Sequence, residues 1–220
     1  MGLKVIVTGA TGMIGEGVMR QCLLHPEVER VLVVSRKSCG VTDPKLKEIL
    51  HQDFQNLSSI VSDLKGFDAC FFCLGVSSVG LKEPEYRKLT YDLTMHFANT
   101  VLQVNPGITF TYVSGVGTDS TEKGKSMWAR VKGKTENDLL KLPFAKAYMF
   151  RPGYIHPMPG YKNTLKLYAA FTWSYPVIKR VFPKFVCTLK DVAMAMINCV
   201  NKGPEKKILE VNDIKALAKA

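Results

Sequence analysis

Three glycines stand close together near the start of the chain, at positions 9, 12 and 15 of the segment TGATGMIG that begins at Thr8. A short apolar run, Lys4–Thr8, precedes them, and a helical pattern, Gly15–Leu24, follows. The first glycine permits a tight turn, the second lets the backbone approach a pyrophosphate, and the third lets helix and strand pack closely. The spacing therefore predicts a dinucleotide-binding turn, with a ligand-free glycine turn as the alternative. Its predicted binding residues are Gly9, Thr11, Gly12, Met13, Ile14 and Gly15.

The residues after the second predicted strand indicate which dinucleotide fits. NAD sites usually place Asp or Glu there to bind the ribose 2′-hydroxyl, but this stretch is Ser35-Arg36-Lys37. A cation at that position can pair with a 2′-phosphate. The sequence thus predicts NADP(H) in preference to NAD(H), bound by Arg36 and Lys37; the alternative is that both are solvated loop charges.

Short apolar runs alternate with amphipathic segments over most of the chain, which favours βαβ units and a parallel sheet. We predict an α/β fold with a doubly wound parallel sheet of the Rossmann type. Residues 1–220 form one domain, with 154–206 as a small C-terminal helical cap on the substrate side. The predicted strands are Lys4–Thr8, Arg30–Ser35, His51–Asp53, Ala69–Leu74, Ile108–Ser114, Ala147–Phe150 and Lys207–Val211. The predicted helices include Gly15–Leu24, Leu57–Leu64, Pro84–Val104 and 126–140.

Composition and net charge limit the classes of molecule that we expect this chain to bind. The chain of 220 residues is 46% hydrophobic and 22% charged, as in ordinary globular proteins. Its net charge is +11, and residues 160–220 carry 11 Lys/Arg against 4 Asp/Glu. Such an excess suits an anionic ligand or an anionic membrane surface. No nucleic-acid-binding motif accompanies the charge, so nucleic acid is not a predicted partner.

The six cysteines and four histidines show no metal-ligand spacing, and we predict no metal site. Cys70 and Cys73 form a CxxC pair, but it lies in a buried-strand pattern, where residues three apart face opposite sides. Reduced thiols indicate a cytoplasmic location. The longest uncharged run, Leu167–Ile178, is too short to span a bilayer, which needs about 20 apolar residues.

The ordered series of motifs resembles the short-chain dehydrogenase/reductase superfamily, in its atypical branch with epimerase-like and Tat-interacting-protein-like members. The resemblance covers nearly the whole chain. Its motifs are TGATGMIG at 8–15, CLG at 73–75, YVSGVG at 112–117, VKGKTE at 131–136, FRPG at 150–153 and ILEVNDIKALAKA at 208–220.

The resemblance implies roles for residues at matching positions. Asp53, followed by Phe54, matches the residue that contacts adenine, and Cys73, Leu74 and Gly75 match the segment beside the ribose. Ser114 matches the catalytic serine that binds a substrate carbonyl. Lys132 matches the lysine that holds the nicotinamide ribose and lowers a tyrosine pKa. Arg151, Pro152 and Gly153 match the cofactor loop after the sixth strand. Simpler roles remain open: Ser114 as a strand cap and Lys132 as a surface lysine.

The chain departs from the family at the catalytic tyrosine. Four residues before Lys132 stands Trp128, whose indole N–H has no usable acidity. The usual proton relay therefore cannot operate. Trp128 is either a packing residue or a substrate platform, and Tyr154 is a candidate replacement phenol.

Two functions follow. The first is an NADP(H)-dependent oxidoreductase or epimerase-like enzyme acting on a small carbonyl substrate. The second is a non-catalytic cofactor-binding protein with a regulatory or scaffold role, which acts through a protein partner or a membrane surface. A third possibility concerns the segment Lys162–Lys184. Its mixture of basic and aromatic residues suits peripheral contact with an anionic membrane. The sequence leaves the substrate and the oligomeric state open.

Overall fold

A parallel sheet forms the centre of the computed structural model, which describes residues 2–163 and 175–220. Its seven described strands are β1 Leu3–Thr8, β2 Val28–Ser35, β3 Leu46–Leu50, β4 Ala69–Phe72, β5 Thr109–Val113, β6 Lys146–Arg151 and β9 Ile208–Glu210. They follow the order β3-β2-β1-β4-β5-β6-β9. Because β1 pairs with β2 on one side and β4 on the other, the winding reverses between β1 and β4.

Helices cover both faces of this sheet. They are α1 Met13–Leu24, α2 Glu83–Arg87, α3 Leu93–Val104, α4 Met127–Leu139, α5 Tyr175–Val181, α6 Leu189–Lys202 and α7 Val211–Leu217. Two further strands, β7 Tyr154–His156 and β8 Val186–Thr188, form a separate parallel pair. This architecture confirms the predicted single doubly wound domain.

The alternation of side chains along each strand divides the core into two halves. On β1, Val5 and Val7 pack on one face with α1, α6 and α7. Ile6, between them, packs on the opposite face with Phe97 of α3. A strand buried on both faces reads as a continuous apolar run, which is why β1 and β2 were predictable from sequence.

Several predicted elements are wrong in extent. The third strand is Leu46–Leu50 and not His51–Asp53, because this edge strand is half-exposed and carries charged residues that hide its pattern. The predicted helix Leu57–Leu64 is only a 3₁₀ turn at Val61–Leu64. The predicted long helix Pro84–Val104 is interrupted by a π-helical turn at Lys88–Asp92 between α2 and α3.

The range predicted to form the cap, 154–206, contains elements with different roles. Helix α6 is not part of a cap, because its apolar face is buried in the core beside α1. Residues 164–174 lie outside the described residues, so the remainder of the cap stays a prediction. Within 2–163 and 175–220, no helix has the length and apolarity needed to cross a membrane.

Helices α1 and α6 meet at Gly17, and we predict that a side chain there destabilises the domain. A Cβ atom on Gly17 would lie 2.3–2.6 Å from side-chain carbons of Leu189, which is fully buried. Gly17→Val should lower the free energy of unfolding by about 1–3 kcal/mol through overpacking. Urea unfolding measures the change. The control is Gly107→Ala, where a Cβ would meet no atom of the described residues within 4 Å and the change should stay within about 0.5 kcal/mol. Equal stabilities for both variants would contradict the packing argument.

Candidate functional site

The glycine turn connects β1 to α1 at the carboxyl edge of the sheet. Gly9 adopts a left-handed conformation (φ +72°), and its Cβ would lie 2.7 Å from the carbonyl oxygen of Cys73. A Cβ on Gly15 would lie 2.1 Å from the carbonyl oxygen of Gly9. Among the described residues, no side chain caps α1, whose N-cap is Gly12. The turn therefore leaves the first amides of α1 available to an anion that approaches closely.

Four adjoining cavities extend from this turn. The inner cavity (about 540 Å³) lies at the ends of β4 to β6, and the bridging cavity (about 240 Å³) lies over the turn. The outer cavity (about 640 Å³) lies beyond β2, and the side cavity (about 160 Å³) lies beside Phe54. The inner and bridging cavities share Gly12, Cys73, Leu74 and Gly75, and the bridging and outer cavities share Thr11 and Arg36. Together they form a continuous elongated site.

Most residues predicted from sequence line this site. The inner cavity is lined by Gly12, Met13, Ile14, Cys73, Leu74, Gly75, Ser114, Lys132, Pro152 and Gly153. The bridging and outer cavities add Gly9, Thr11, Arg36 and Lys37, and the side cavity adds Asp53 and Phe54. Gly15 supports the turn from below, as its contact with Gly9 shows. Arg151 and Trp128 are absent from the described linings of the four cavities.

The outer cavity is cationic. Arg36 and Lys37 line it together with Thr11, Ser38, Gln52 and Asn163, so its described lining contains no carboxylate. Glu48 on the neighbouring strand β3 is not part of that lining; its carboxylate accepts a hydrogen bond from the Cys39 amide at 2.7 Å. The Gln52 side chain donates to the Arg36 carbonyl at 2.6 Å and holds the turn that carries Arg36.

A buried glutamate brings Asn163 to the outer cavity. Glu16, in the first turn of α1, accepts hydrogen bonds from the amides of Lys162 (3.1 Å) and Asn163 (2.8 Å). Burial alone would raise the pKa of Glu16, but these bonds and Arg20 outweigh it and lower the pKa. Gln21 adds a hydrogen bond to the Tyr161 hydroxyl at 3.1 Å. The segment after β7 is thereby fastened to α1.

Asp53 and Phe54 meet the side cavity in different ways. Asp53 is exposed, and its carboxylate accepts a hydrogen bond from the Gln55 amide at 2.9 Å. Phe54 is buried and stacks on Phe97, with ring centroids 6.0 Å apart. Asp53 thus lies at the rim of the site on a loop after β3, and Phe54 anchors that loop in the core.

Ser114 belongs to a buried polar network. Its hydroxyl lies 2.5 Å from a carboxylate oxygen of Glu136 and 3.1 Å from the Phe150 carbonyl oxygen. Glu136, which is fully buried, also forms a bidentate ion pair with Arg151. A serine proton donated to Glu136 cannot be donated to a substrate at the same time. The predicted role of Ser114 toward a carbonyl therefore stays a prediction.

Arg151 faces this network and does not line the inner cavity. Its guanidinium binds Glu136 and Ser120, and it lies 3.4 Å from a carboxylate oxygen of Glu210. Burial would lower the pKa of Arg151, but Glu136 outweighs it and raises the pKa. Only Pro152 and Gly153 of the predicted loop line the inner cavity. The Arg151 guanidinium is held by Glu136 in the core and by Ser120 and Glu210 nearer the surface, and the predicted contact of Arg151 with the cofactor stays a prediction.

Lys132 lies at the inner cavity, one helical turn before Glu136. Its ammonium donates to the Ser114 carbonyl oxygen at 2.6 Å, which leaves further N–H groups for a ligand. Burial lowers the pKa of Lys132 to about 8, although the negative charge of Glu136 acts in the opposite direction. Lys132 is half-buried and lines the inner cavity, which favours the cofactor-facing role over that of an ordinary surface lysine.

Trp128 packs on the loop after β5. Its ring lies over Gly117, since a Cβ there would lie 3.4 Å from Cη2 of the indole. This contact favours the packing role over the substrate platform. Tyr154 does not line the inner cavity either, whereas its neighbour Ile155 does, as expected from the alternation of side chains on β7.

From the sequence we did not assign Glu136 and Glu16, which support the site, or Ser38, Gln52 and Asn163, which line the outer cavity. Glu136 lies four residues after Lys132 within a motif that the resemblance already included, and i,i+4 spacing places both on one helix face. That spacing could have revealed it. The i,i+4 pair with Arg20 gave Glu16 no link to the site, because the site partners of Glu16, Lys162 and Asn163, lie 146 and 147 residues further along the chain.

We predict that Lys132 reacts with amine-directed reagents at an unusually low pH. Brief acetylation across pH 6–11, followed by peptide mass spectrometry, should give half-maximal labelling of Lys132 near pH 8, its lowered pKa. Lysines with the ordinary pKa of about 10.4 require more alkaline solution. Glu136→Gln should move the midpoint lower, because it removes the charge that stabilises the ammonium. A midpoint above pH 10 in the wild-type chain would contradict the burial argument.

Comparison with known proteins identifies relatives of the chain. Protein FMP52-1, mitochondrial, of Scheffersomyces stipitis is 23% identical over 155 residues, which cover 70% of this chain and 67% of that protein. Protein fmp52-1, mitochondrial, of Aspergillus oryzae is 28% identical over 153 residues, covering 67% and 63%. The chain thus matches about two thirds of the length of these relatives. Their mitochondrial names contradict the predicted cytoplasmic location, which is wrong: reduced cysteines do not distinguish one reducing compartment from another.

Solved structures with the same fold include sugar-nucleotide enzymes. The ADP-L-glycero-D-manno-heptose-6-epimerase of Helicobacter pylori aligns with a TM-score of 0.70 at 12% identity, over 99% of this chain and 82% of that one. The dTDP-glucose 4,6-dehydratase DesIV of Streptomyces venezuelae, solved with NAD and TYD bound, gives 0.70 at 16% identity, over 95% and 75%. At these identities the likeness shows the fold.

A family model described as "NAD dependent epimerase/dehydratase family" matches residues 5–121. The match covers more than half of the chain and includes the glycine turn, Arg36, the end of β4 and Ser114. It confirms the resemblance found in the motifs, and it implies a nicotinamide cofactor. The chain therefore belongs to the NAD dependent epimerase/dehydratase family.

Proposed function

We propose that this protein is an NADP(H)-dependent oxidoreductase for a small carbonyl substrate, with Lys132 as its proton donor. One observation carries the proposal: the continuous site has a cationic outer cavity at one end and a lysine of lowered pKa at the other. The turn between them accepts a group that approaches the backbone closely, as a pyrophosphate does. The residues present therefore fit an NADP(H) molecule.

Individual residues would bind this cofactor in the following way. The α1 amides and the glycine turn would hold the pyrophosphate, and Arg36 and Lys37 would hold the 2′-phosphate. Lys132 would bind the nicotinamide ribose, and Pro152 and Gly153 would form the wall opposite. Bound NADPH supplies a hydride to the substrate carbonyl carbon.

Lys132 supports proton transfer in place of the missing tyrosine. An acid works best when its pKa lies near the operating pH, and the pKa of Lys132 is lowered to about 8. Its ammonium would give a proton to the carbonyl oxygen as the alcohol forms. The neutral amine would then recover a proton from solvent at the cavity mouth.

A second candidate function is cofactor-dependent binding of a protein partner without turnover. The commitment of the Ser114 hydroxyl to Glu136 favours it, because the site then lacks the usual carbonyl donor. The two functions differ in one measurement, namely whether bound NADPH is oxidised by any carbonyl compound. Tight binding without oxidation across a panel of aldehydes, ketones and quinones would favour the second.

Arg36→Ala should weaken NADPH binding and spare NADH. The loss of a charge-assisted hydrogen bond to the 2′-phosphate should cost about 1–3 kcal/mol, or roughly 5- to 150-fold in Kd. Fluorescence titration of the purified protein with both cofactors measures it. Lys65→Ala is the matched control, since Lys65 is an exposed cation outside the four cavity linings. An equal loss for NADPH and NADH would show that Arg36 does not recognise the 2′-phosphate.

Carbonyl reduction should decline as pH rises through about 8, because reduction needs the protonated form of Lys132. The reverse oxidation should increase over the same range. Lys132→Arg should abolish this pH dependence and lower kcat by about 10²- to 10⁴-fold, the usual contribution of a general acid. NADPH absorbance under saturating cofactor gives both rates.

The variant Trp128→Tyr tests whether restoring the family's tyrosine restores its usual proton donor. The indole packs on Gly117 away from the described lining of the inner cavity, so a phenol at this position should change kcat by less than about tenfold. A gain of a hundredfold or more would instead mean that the family's tyrosine arrangement is recoverable and that Lys132 is not the acid.

A further inference from the structure

An exposed apolar turn interrupts the surface just before β8. Val181, Phe182 and Phe185 are exposed to 59%, 61% and 49%, and with Pro183 and Lys184 they line a surface hollow of about 380 Å³. We call residues 181–185 the apolar turn. Large exposed aromatic side chains cost free energy in water, so such a cluster indicates a surface that another phase or molecule covers.

The apolar turn is held in place by the folded core. The Phe182 amide donates to the Ile178 carbonyl at 2.8 Å, and the Tyr154 amide donates to the Phe185 carbonyl at 2.9 Å. The Lys215 ammonium of α7 donates to the Pro183 carbonyl at 3.0 Å. The turn therefore continues from α5 and presents its aromatic side chains outward on a backbone anchored to β7 and α7 at two points.

The surroundings of the apolar turn are strongly cationic. Residues 175–190 contain four cations (Lys179, Arg180, Lys184 and Lys190) and no carboxylate. Carboxylates on the adjacent helices are already bonded: Asp191 caps α6 by accepting from the Thr188 amide, and Asp213 pairs with Lys206. Asp191 keeps its negative charge, but four cations against this one carboxylate over residues 175–191 leave a net positive charge beside the apolar turn, which suits an anionic partner.

We propose that the apolar turn docks this protein on an anionic phospholipid bilayer. Aromatic side chains flanked by Lys and Arg are the pattern that binds peripherally to such a surface. A second copy of the chain is a poorer occupant, because a symmetric contact would bring the same cations together. A stable protein interface uses about 20–30 residues a side, whereas the apolar turn has five.

Docking through the apolar turn places the cofactor site near the membrane. A Cβ on Gly153, in the inner-cavity wall, would lie 2.2 Å from the Phe185 carbonyl oxygen, so the backbone of the cavity wall packs directly against the backbone of the apolar turn. Membrane binding itself requires no cofactor, and it can be tested independently of the proposed enzymatic function.

The test is co-sedimentation of the full chain with vesicles of phosphatidylcholine alone or with about 30% phosphatidylserine. Binding should require the anionic lipid and weaken between 0.1 and 1 M salt, where the Debye length falls from about 10 to about 3 Å. The triple variant Lys179→Gln/Arg180→Gln/Lys184→Gln should lose roughly 100-fold in partition coefficient, at about fivefold per cation. Phe182→Ser/Phe185→Ser should lose at least about tenfold.

Matched control variants distinguish binding through the apolar turn from nonspecific attraction by the net positive charge of the protein. Lys65→Gln/Lys123→Gln/Lys125→Gln removes three exposed cations elsewhere, and Leu24→Ser removes an apolar side chain that is 75% exposed. Both should bind vesicles as the wild type does. Equal loss in the control triple variant, or equal binding to neutral vesicles, would overturn the proposal. A third result would also overturn the proposal. If the Phe182→Ser/Phe185→Ser variant bound vesicles as tightly as the wild type but lost a dimer seen by sedimentation velocity, the apolar turn would bind a second copy of the chain and not a membrane. Thermal melting checks that each variant is folded.

Discussion

The buried carboxylate of Glu136 is the interaction on which the inner cavity depends. It binds Ser114 at the end of β5 and Arg151 at the end of β6, and it lies one turn after Lys132 on α4. Three consecutive elements, β5, α4 and β6, are therefore fixed relative to one another by one charged group. Breaking a buried ion pair leaves the partner charge uncompensated, which costs about 3–5 kcal/mol. The pair thus constrains the geometry of the site strongly.

The same carboxylate determines the electrostatics of the inner cavity. Burial lowers the pKa of Lys132, and Glu136 limits that effect, so the ammonium is kept at neutral pH while remaining a usable acid. Arg151 neutralises Glu136 from the other side. A site that has lost the family's tyrosine therefore still contains a cation that contacts the β5 end and faces the cavity.

A second buried glutamate acts at the opposite end of the site. Glu16 fastens the segment that carries Asn163 to α1, directly after the glycine turn. The phosphate turn and the outer cavity are consequently joined through one helix. The site is built from the carboxyl edge of the sheet, where the winding reverses between β1 and β4, which is the usual binding position in doubly wound folds.

Sequence alone determined the features that depend on local patterns. The glycine spacing, the apolar strands buried on both faces and the cations after β2 each require only neighbouring residues, and all reappear at the expected places in the fold. The absence of the tyrosine was equally visible at Trp128. Only the tertiary structure decided where Arg151, Glu16 and Glu136 point, because their partners come from other elements. The lowered pKa of Lys132 is likewise a consequence of burial, and burial is a property of the packed chain that spacing along the sequence does not contain.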